Sequence, residues 1–176
     1  ELIKYANNAF LATKITFINQ IANLCDEIGA DVNVIAKAMG MDGRISPKFL
    51  HPGPGFGGSC FPKDTRALIK IGEHYHTDMS LVREVVKINE NQRQKMIEKL
   101  ERLLGSLQGE KICALGIAFK AETDDIRESP AVDIIKILLQ QGVQVNLHDP
   151  QALKNAKKLF VNAVNYFEDM YDAMKD

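Results

Sequence analysis

Gly53-Pro54-Gly55-Phe56-Gly57-Gly58-Ser59-Cys60-Phe61-Pro62-Lys63-Asp64 is the stretch on which the reading of the fold turns. Its glycines spell Gly53-x-Gly55-x-x-Gly58, the letters of a dinucleotide-binding loop. That loop needs a strand before it and a helix after it, within a βαβ unit. Upstream stands Ser46-Pro47-Lys48-Phe49-Leu50-His51-Pro52, with two prolines and no apolar alternation. No strand precedes the glycines, so the first half of the chain is not read as a Rossmann fold. Downstream, Pro62, Lys63 and the apolar run Ala67-Leu68-Ile69-Ile71 predict a helix beginning near the cysteine. A thiol at a helix N-terminus beside a lysine is where a thiolate is stabilised and becomes nucleophilic. The plainer reading is a flexible loop ending in an ordinary core cysteine. The string as a whole favours the reactive thiol.

Working back from this stretch, residues Leu2 to Ile28 read as one long helix closed by Gly29. Leu11, Ile15, Ile18, Ala22 and Cys25 form one apolar stripe, and Phe17, Ile21, Leu24 and Ile28 a second. Two stripes predict a helix buried on two sides. Lys4 and Asn8 stand one turn apart on the same face, either a solvated polar face or part of a site. Asp31 caps a short helix ending at Gly40, and residues 41–47 are a loop.

Forward of the cysteine, a long helix starts at Asp78 or Ser80 and runs to Leu104, closed by Gly105. Its apolar side is read from Leu81, Val85, Ile88, Met96, Leu100 and Leu103. At 1.5 Å per residue it spans roughly 36–39 Å, enough to join two domains. Lys111 to Phe119 reads as a buried strand with Cys113 in the core. Ser129-Pro130 opens a helix that ends at Gly142, and Val143 to His148 is the next strand, stopped by Asp149-Pro150. Strand, helix and strand make one parallel βαβ unit. The tail predicts a further short strand near Ala163-Val164 and a helix from Tyr166 to Met174. The expected class is therefore mixed: an all-α domain over 1–90, a connecting part of the long helix over 91–108, and a partial α/β Rossmann-like domain over 109–176.

Composition narrows the function. The 176 residues are 45% hydrophobic and 26% charged, with a net charge of −1. That balance supplies no basic field for nucleic acid or an anionic membrane. No apolar run approaches the roughly 18 residues of a membrane span. Cys25, Cys60 and Cys113 are an odd, widely spaced set without metal-ligand pairing, so no metal site is expected and a reducing cytoplasm is the default. His74-x-His76 reads as a solvated helix end. The chain starts without methionine, inside a helical pattern, and stops soon after a βαβ unit, which reads as a fragment of a larger polypeptide.

Gly55-Phe56-Gly57-Gly58-Ser59-Cys60-Phe61-Pro62-Lys63-Asp64 resembles the active-site motif of the nucleotide-sugar 6-dehydrogenases, most closely those acting on UDP-glucose. Two further segments agree at the expected separations: Glu1 to Phe10, containing Lys4-Tyr5-Ala6-Asn7-Asn8, and Gly116 to Pro130. The resemblance covers nearly the whole chain. It implies a 6-phosphogluconate-dehydrogenase-like helical domain, then the start of a nucleotide-sugar-binding domain, with the N-terminal NAD domain outside the chain. These residues alone would then lack dehydrogenase activity. It further implies a four-electron oxidation of UDP-glucose to UDP-glucuronate with NAD, through a thiohemiacetal and a thioester on Cys60. Lys4 and Asn8 would bind substrate and hold the oxyanion and water, and Asp64 would orient or activate water. Arg44 would reach the substrate of a neighbouring subunit in a homodimer formed through the long central helix. Phe49, Leu50, His51, Pro52 and Gly53 match the loop whose backbone lies along the nucleotide sugar, and Gly57, Phe119 and Lys120 also fall to the substrate. Lys63 and Arg127 would face the cofactor. Pro52 and Pro54 depart from the commoner sequence of that loop, which bears on the shape of the sugar pocket and not on the chemistry. Two alternatives stand beside this reading. One is a dehydrogenase of GDP-mannose or of a UDP-N-acetylhexosamine. The other is a non-catalytic helical dimerisation module in which Cys60 is incidental.

Overall fold

The computed structural model describes residues 1–175 and opens on helix α1, Leu2–Ile28. Gly29 ends it in the left-handed conformation (φ 72°), its N–H bonded to the Cys25 carbonyl, as expected for a glycine past a helix end. Ala12, Ile18 and Cys25 lie inside, the first two fully. The second stripe faces outward in the single chain: Phe17, Leu24 and Ile28 are 46%, 54% and 66% exposed. Periodicity tells which helix face is apolar; it does not tell what covers it. Helix α2, Val32–Gly40, is capped by Asp31, whose carboxylate accepts from the Asn33 N–H at 2.8 Å.

Helix α3 runs Phe61–His74 with Cys60 as its N-cap residue and Pro62 in the first turn. No strand precedes the glycines, in keeping with the rejected dinucleotide loop. Helix α4, Ser80–Leu104, follows after Asp78, whose Oδ1 accepts from the Ser80 N–H. Its buried side differs from the expected one: Leu81 and Leu103 are exposed, and Ile97 is fully buried. The chain forms two compact units that divide within α4, one of residues 1–56 with 60–92, the other of 57–59 with 93–175. In the first unit α1 packs chiefly on α3, and Ala12, Phe56 and Val85 close a small core with Ile15 and Phe61.

The second unit holds β1 (Lys111–Leu115), α5 (Pro130–Gln140), β2 (Gln144–His148), α6 (Leu153–Phe160), β3 (Asn165–Tyr166) and α7 (Met170–Ala173). The three strands are parallel in the order β1-β2-β3, with Ile112 opposite Val145 and Leu147 opposite Tyr166. Ile97, Ile117, Ile135, Val145 and Leu147 fill the core. Helix α6 falls outside the sequence expectations, although Leu153, Ala156 and Phe160 repeat at helical spacing and are buried.

Strand β1 is shorter than its apolar run, for a reason visible in the hydrogen bonds. Gly116 turns at φ 92°, and the next two N–H groups, of Ile117 and Ala118, go to Asp149 Oδ2 at 2.8 and 3.1 Å. Asp149 Oδ1 takes those of Gln151 and Ala152. Burial pushes this carboxyl up, but four backbone donors outweigh it and hold it below the usual carboxylate range. Asp149, read from sequence only as a strand stop, thus joins the carboxyl ends of β1 and β2. Cys113, expected in the core, is only half-buried, because β1 has a strand partner on one side alone among the described residues. Ser129 precedes α5 as expected, yet its hydroxyl makes no capping bond.

Candidate active site

The helix periodicity that placed Lys4 and Asn8 on one face carries both to a single carboxylate. Asn8 Nδ2 donates to Asp64 Oδ2 at 2.6 Å, and Lys4 Nζ lies 3.2 Å from the same oxygen. Asp64 is fully buried, while the Lys4 side chain is 56% exposed. The other oxygen, Asp64 Oδ1, is buried with no hydrogen-bond partner among the described residues. A buried carboxylate oxygen with spare lone pairs is a feature that calls for a functional reason. Asp64 stands four residues into the chain from Cys60, and its N–H bonds the Cys60 carbonyl at 2.8 Å. One helical turn therefore fixes the spacing of thiol and carboxylate.

The electrostatics follow from this packing. Burial pushes the Asp64 carboxyl up, but the hydrogen bonds from Asn8 and Lys4 and the charges of Lys4 and Lys63 hold it below its ordinary value. Lys4 is raised in return, first by the hydrogen bond to Asp64, then by its charge, with a smaller contribution from Cys60. Lys4 is thus a cation and Asp64 an anion throughout the neutral range. Cys60 is exposed, Cys25 is buried and Cys113 is half-buried, with burial pushing the Cys113 thiol up.

The loop before the thiol belongs to the same unit up to Phe56. Phe49 adopts φ 64° and packs its ring 6.0 Å from that of Phe61. Leu50 is buried, so its side chain is core. His51 is exposed, and Pro52 and Gly53 are half-buried. Arg44, on the preceding turn, folds back on Asp42, with Nη2 to Oδ2 at 2.5 Å. Lys14 draws three carbonyls of this segment onto one ammonium, Ile45 at 2.8, Ser46 at 3.1 and Lys48 at 2.5 Å. The sequence reading missed Lys14, as it missed Asn19, Asn89 and Gln92, whose amides hold Gly53 and Phe56.

Of the remaining expected site residues, Lys63 is in the first unit and Gly57, Phe119, Lys120 and Arg127 are in the second. Gly57 and Gly58 are there for close packing. A Cβ on Gly57 would stand 2.1 Å from the Glu128 carbonyl oxygen, and one on Gly58 2.6 Å from the Phe119 ring. Gly58 adopts φ 79°, and its N–H donates to the Arg127 carbonyl at 3.1 Å. Lys120 Nζ sits 5.4 Å over the Phe119 ring. Arg127 grips Asp125, holding that carboxyl down to about 2, and borders an open cleft with Asp124, Asn155 and Lys158. Lys63 is exposed on α3. No cluster of histidine, cysteine and carboxylate residues able to hold a metal exists among the described residues, and no helix there is long and apolar enough to cross a membrane.

The chain that carries this constellation, a helix-borne lysine and asparagine on a buried aspartate one turn after an exposed N-cap cysteine, has relatives. Residues 1–91 match the family model described as the UDP-glucose/GDP-mannose dehydrogenase family, central domain. Residues 113–176 match the UDP binding domain of the same family. The chain belongs to the UDP-glucose/GDP-mannose dehydrogenase family. Within that family it is 49% identical over 176 residues to UDP-glucose 6-dehydrogenase TuaD of Bacillus subtilis (strain 168), covering 100% of this chain and 38% of the relative. It overlays a UDP-glucose dehydrogenase from the hyperthermophilic archaeon Pyrobaculum islandicum with a TM-score of 0.93, at 40% identity, covering 98% of this chain and 40% of that one. Against an NDP-N-acetyl-D-galactosaminuronic acid dehydrogenase from Methanosarcina mazei Go1 the TM-score is 0.80 at 27% identity, with 98% and 38% covered. The chain thus spans about two fifths of the length of these UDP-glucose/GDP-mannose dehydrogenase family members.

Proposed function

We propose that the whole protein containing this chain oxidises UDP-glucose to UDP-glucuronate in two NAD-dependent steps, with Cys60 as covalent nucleophile. The observation that carries the reading is the convergence of Lys4 and Asn8 on buried Asp64, one turn after an exposed cysteine at a helix N-terminus. The 49% identity to a UDP-glucose 6-dehydrogenase supports the choice of sugar.

The chemistry follows from the groups present. Removal of hydride from C6 of the sugar, with release of the hydroxyl proton to solvent, leaves an aldehyde. The Cys60 thiolate adds to its carbonyl carbon and forms a C–S bond, giving a thiohemiacetal. Lys4 and Asn8 stabilise the alkoxide oxygen that develops, as preorganised donors do by about 3–4 kcal/mol. Loss of a second hydride and of the hydroxyl proton gives a thioester. Asp64, through Oδ1, accepts a hydrogen bond from the attacking water and orients it at the acyl carbon; a C–O bond forms, the C–S bond breaks to free the carboxylate and the thiolate, and the two water protons pass to solvent. Lys63 in the first unit is an exposed cation, and Arg127 in the second is an exposed cation paired with Asp125; each is the type of group an anionic dinucleotide takes. They would contact NAD, which when bound accepts the hydrides. The backbone of Phe49, Leu50, His51, Pro52 and Gly53, with Arg44, Gly57, Phe119 and Lys120, would bind the nucleotide sugar. The residues 1–176 would be inactive by themselves on this account, since the family's NAD domain lies outside them.

The test is the NADH released per sugar by the whole protein. About two NADH per UDP-glucose, and little from GDP-mannose or a UDP-N-acetylhexosamine, is the expected outcome. Turnover only of another nucleotide sugar would correct the substrate. No NADH from any of them would favour a helical interaction module.

A homodimer through the long helices belongs to the same proposal. Its support is the exposed row Ile3, Phe10, Phe17 and Leu24 on α1, which recurs every seven residues. Phe17→Asp is expected to shift the protein from dimer to monomer in sedimentation velocity, and an unchanged dimer would place the interface elsewhere.

A further inference from the structure

Asn89 lies on α4 one turn after buried Val85 and is itself only 4% exposed. Its carboxamide meets the backbone of Phe56 edge to edge. Asn89 Oδ1 accepts from the Phe56 N–H at 2.7 Å, and Asn89 Nδ2 donates to the Phe56 carbonyl at 3.0 Å. One side chain thus satisfies both backbone groups of one residue, as a neighbouring strand would. Three residues earlier Gly53 is held the same way by two side chains. Its N–H goes to Asn19 Oδ1 at 2.7 Å, and its carbonyl accepts from Gln92 Nε2 at 3.3 Å. Gln92 is braced by Asn23 at 2.9 Å. Pro52 and Pro54 flank Gly53 without N–H groups of their own and restrict the chain there.

The hold reaches the thiol through one aromatic contact. The Phe56 ring meets that of Phe61 edge to face, with centroids 5.9 Å apart and an interplanar angle of 81°. Phe61 is the first residue of α3 and the immediate neighbour of Cys60. We propose that Asn89 is a positioning residue for the Cys60 thiol, acting through the Phe56 backbone and the Phe56–Phe61 ring contact. The inference rests on the reading of Cys60 as the nucleophile. Without the amide, the Phe56 N–H and carbonyl each lose the hydrogen bond Asn89 gives them, and the loop relaxes. A displacement of about 1 Å at a reacting group costs on the order of 10²-fold in rate.

The experiment uses the whole protein with Asn89→Ala and Asn89→Asp, and Cys60→Ala beside them. Three quantities are read: kcat, KM for UDP-glucose, and the rate of Cys60 alkylation by iodoacetamide, resolved by peptide mass. Asn89→Ala is expected to lower kcat by about 10- to 100-fold, with a smaller rise in KM and a changed alkylation rate. Asn89→Asp, with kcat read only where its melting temperature shows the variant folded at every pH used, supplies a signature that simple destabilisation does not. An ionised carboxylate accepts from the Phe56 N–H but repels the Phe56 carbonyl, whereas a protonated carboxyl both accepts and donates, as the amide does. Burial raises the pKa of the introduced carboxyl. The ratio of variant to wild-type kcat should therefore climb toward one as pH falls from about 8 to about 6. Wild-type kcat and alkylation in Asn89→Ala would overturn the proposal. So would an Asn89→Asp deficit that does not change with pH, which is the deciding measurement if Asn89→Ala does not fold. Full turnover by Cys60→Ala would instead remove the nucleophile reading and this inference with it.

Discussion

Cys60→Ala in the whole protein is expected to lower kcat for UDP-glucose by about 10³-fold or more while leaving the fold intact. The size follows from removing the atom that carries the covalent intermediate, since nucleophile deletions cost several orders of magnitude. The intact fold follows from exposure: substitutions of exposed residues are usually worth within about 0.5 kcal/mol. Loss of activity with an unchanged melting temperature therefore reports chemistry. The other two thiols provide an internal control. Cys25 is buried and Cys113 is half-buried with its thiol pushed up, so one equivalent of iodoacetamide should label Cys60 first. Preferential labelling of Cys113, or turnover surviving Cys60→Ala within about tenfold, would remove the nucleophile from the account.

Asp64→Asn is expected to lower kcat by about 10²- to 10³-fold, and to do so at a different step. The substitution keeps the shape and the possibility of bonding Asn8, but removes the anion proposed to orient water. Lys4 is raised mainly by Asp64, so the variant lets it fall back toward the ordinary lysine value. That value is near about 10.4, so Lys4 stays cationic at neutral pH and the early oxyanion stabilisation survives. The deficit then falls on thioester hydrolysis, and acyl-enzyme accumulates. The pH dependence has a definite sign. The folded carboxyl is held below its unfolded value by Asn8 and Lys4 against the opposing effect of burial. Its stabilising contribution is fully present above about pH 4 and is lost as pH falls through the lower folded value. An acid limb in the wild-type activity near neutrality should consequently persist in Asp64→Asn, because Asp64 is not the group that titrates there.

Much of the helical half was legible because its signals are local. Gly29 closing α1, Asp31 capping α2 and the proline in the first turn of α3 are each a side chain or backbone preference acting on its own neighbours. The meeting of Lys4 with Asn8 followed from a four-residue spacing, but the aspartate that joins them is 56 residues from Asn8 and came only through a motif. Phe17, Leu24 and Ile28 face outward in the single chain, because an apolar face records a preference for burial and not the partner. Leu81 and Leu103 are exposed at the two ends of α4 for the same reason.

The amides were missed for an instructive reason. Asparagine and glutamine on a long charged helix read as solvated, yet Val85, Asn89, Gln92 and Met96 recur at spacings of four, three and four. A polar residue in an apolar row was the available signal, and a buried polar group requires a partner. Gly57, expected at the substrate, also has a packing reason the sequence did not disclose: a Cβ there would stand 2.1 Å from the Glu128 carbonyl oxygen. Helix α6 was hidden because Lys154, Lys157 and Lys158 dilute the three buried residues of a segment only eight long.

The most direct test of the account is intact-mass spectrometry of Asp64→Asn after mixing with UDP-glucose and NAD. The account predicts one covalent adduct with the mass of a UDP-glucuronyl group, mapped to Cys60 and absent from Cys25, Cys113 and the double variant with Cys60→Ala. Sustained NADH release with no adduct on Cys60, or an adduct that survives Cys60→Ala, would contradict it.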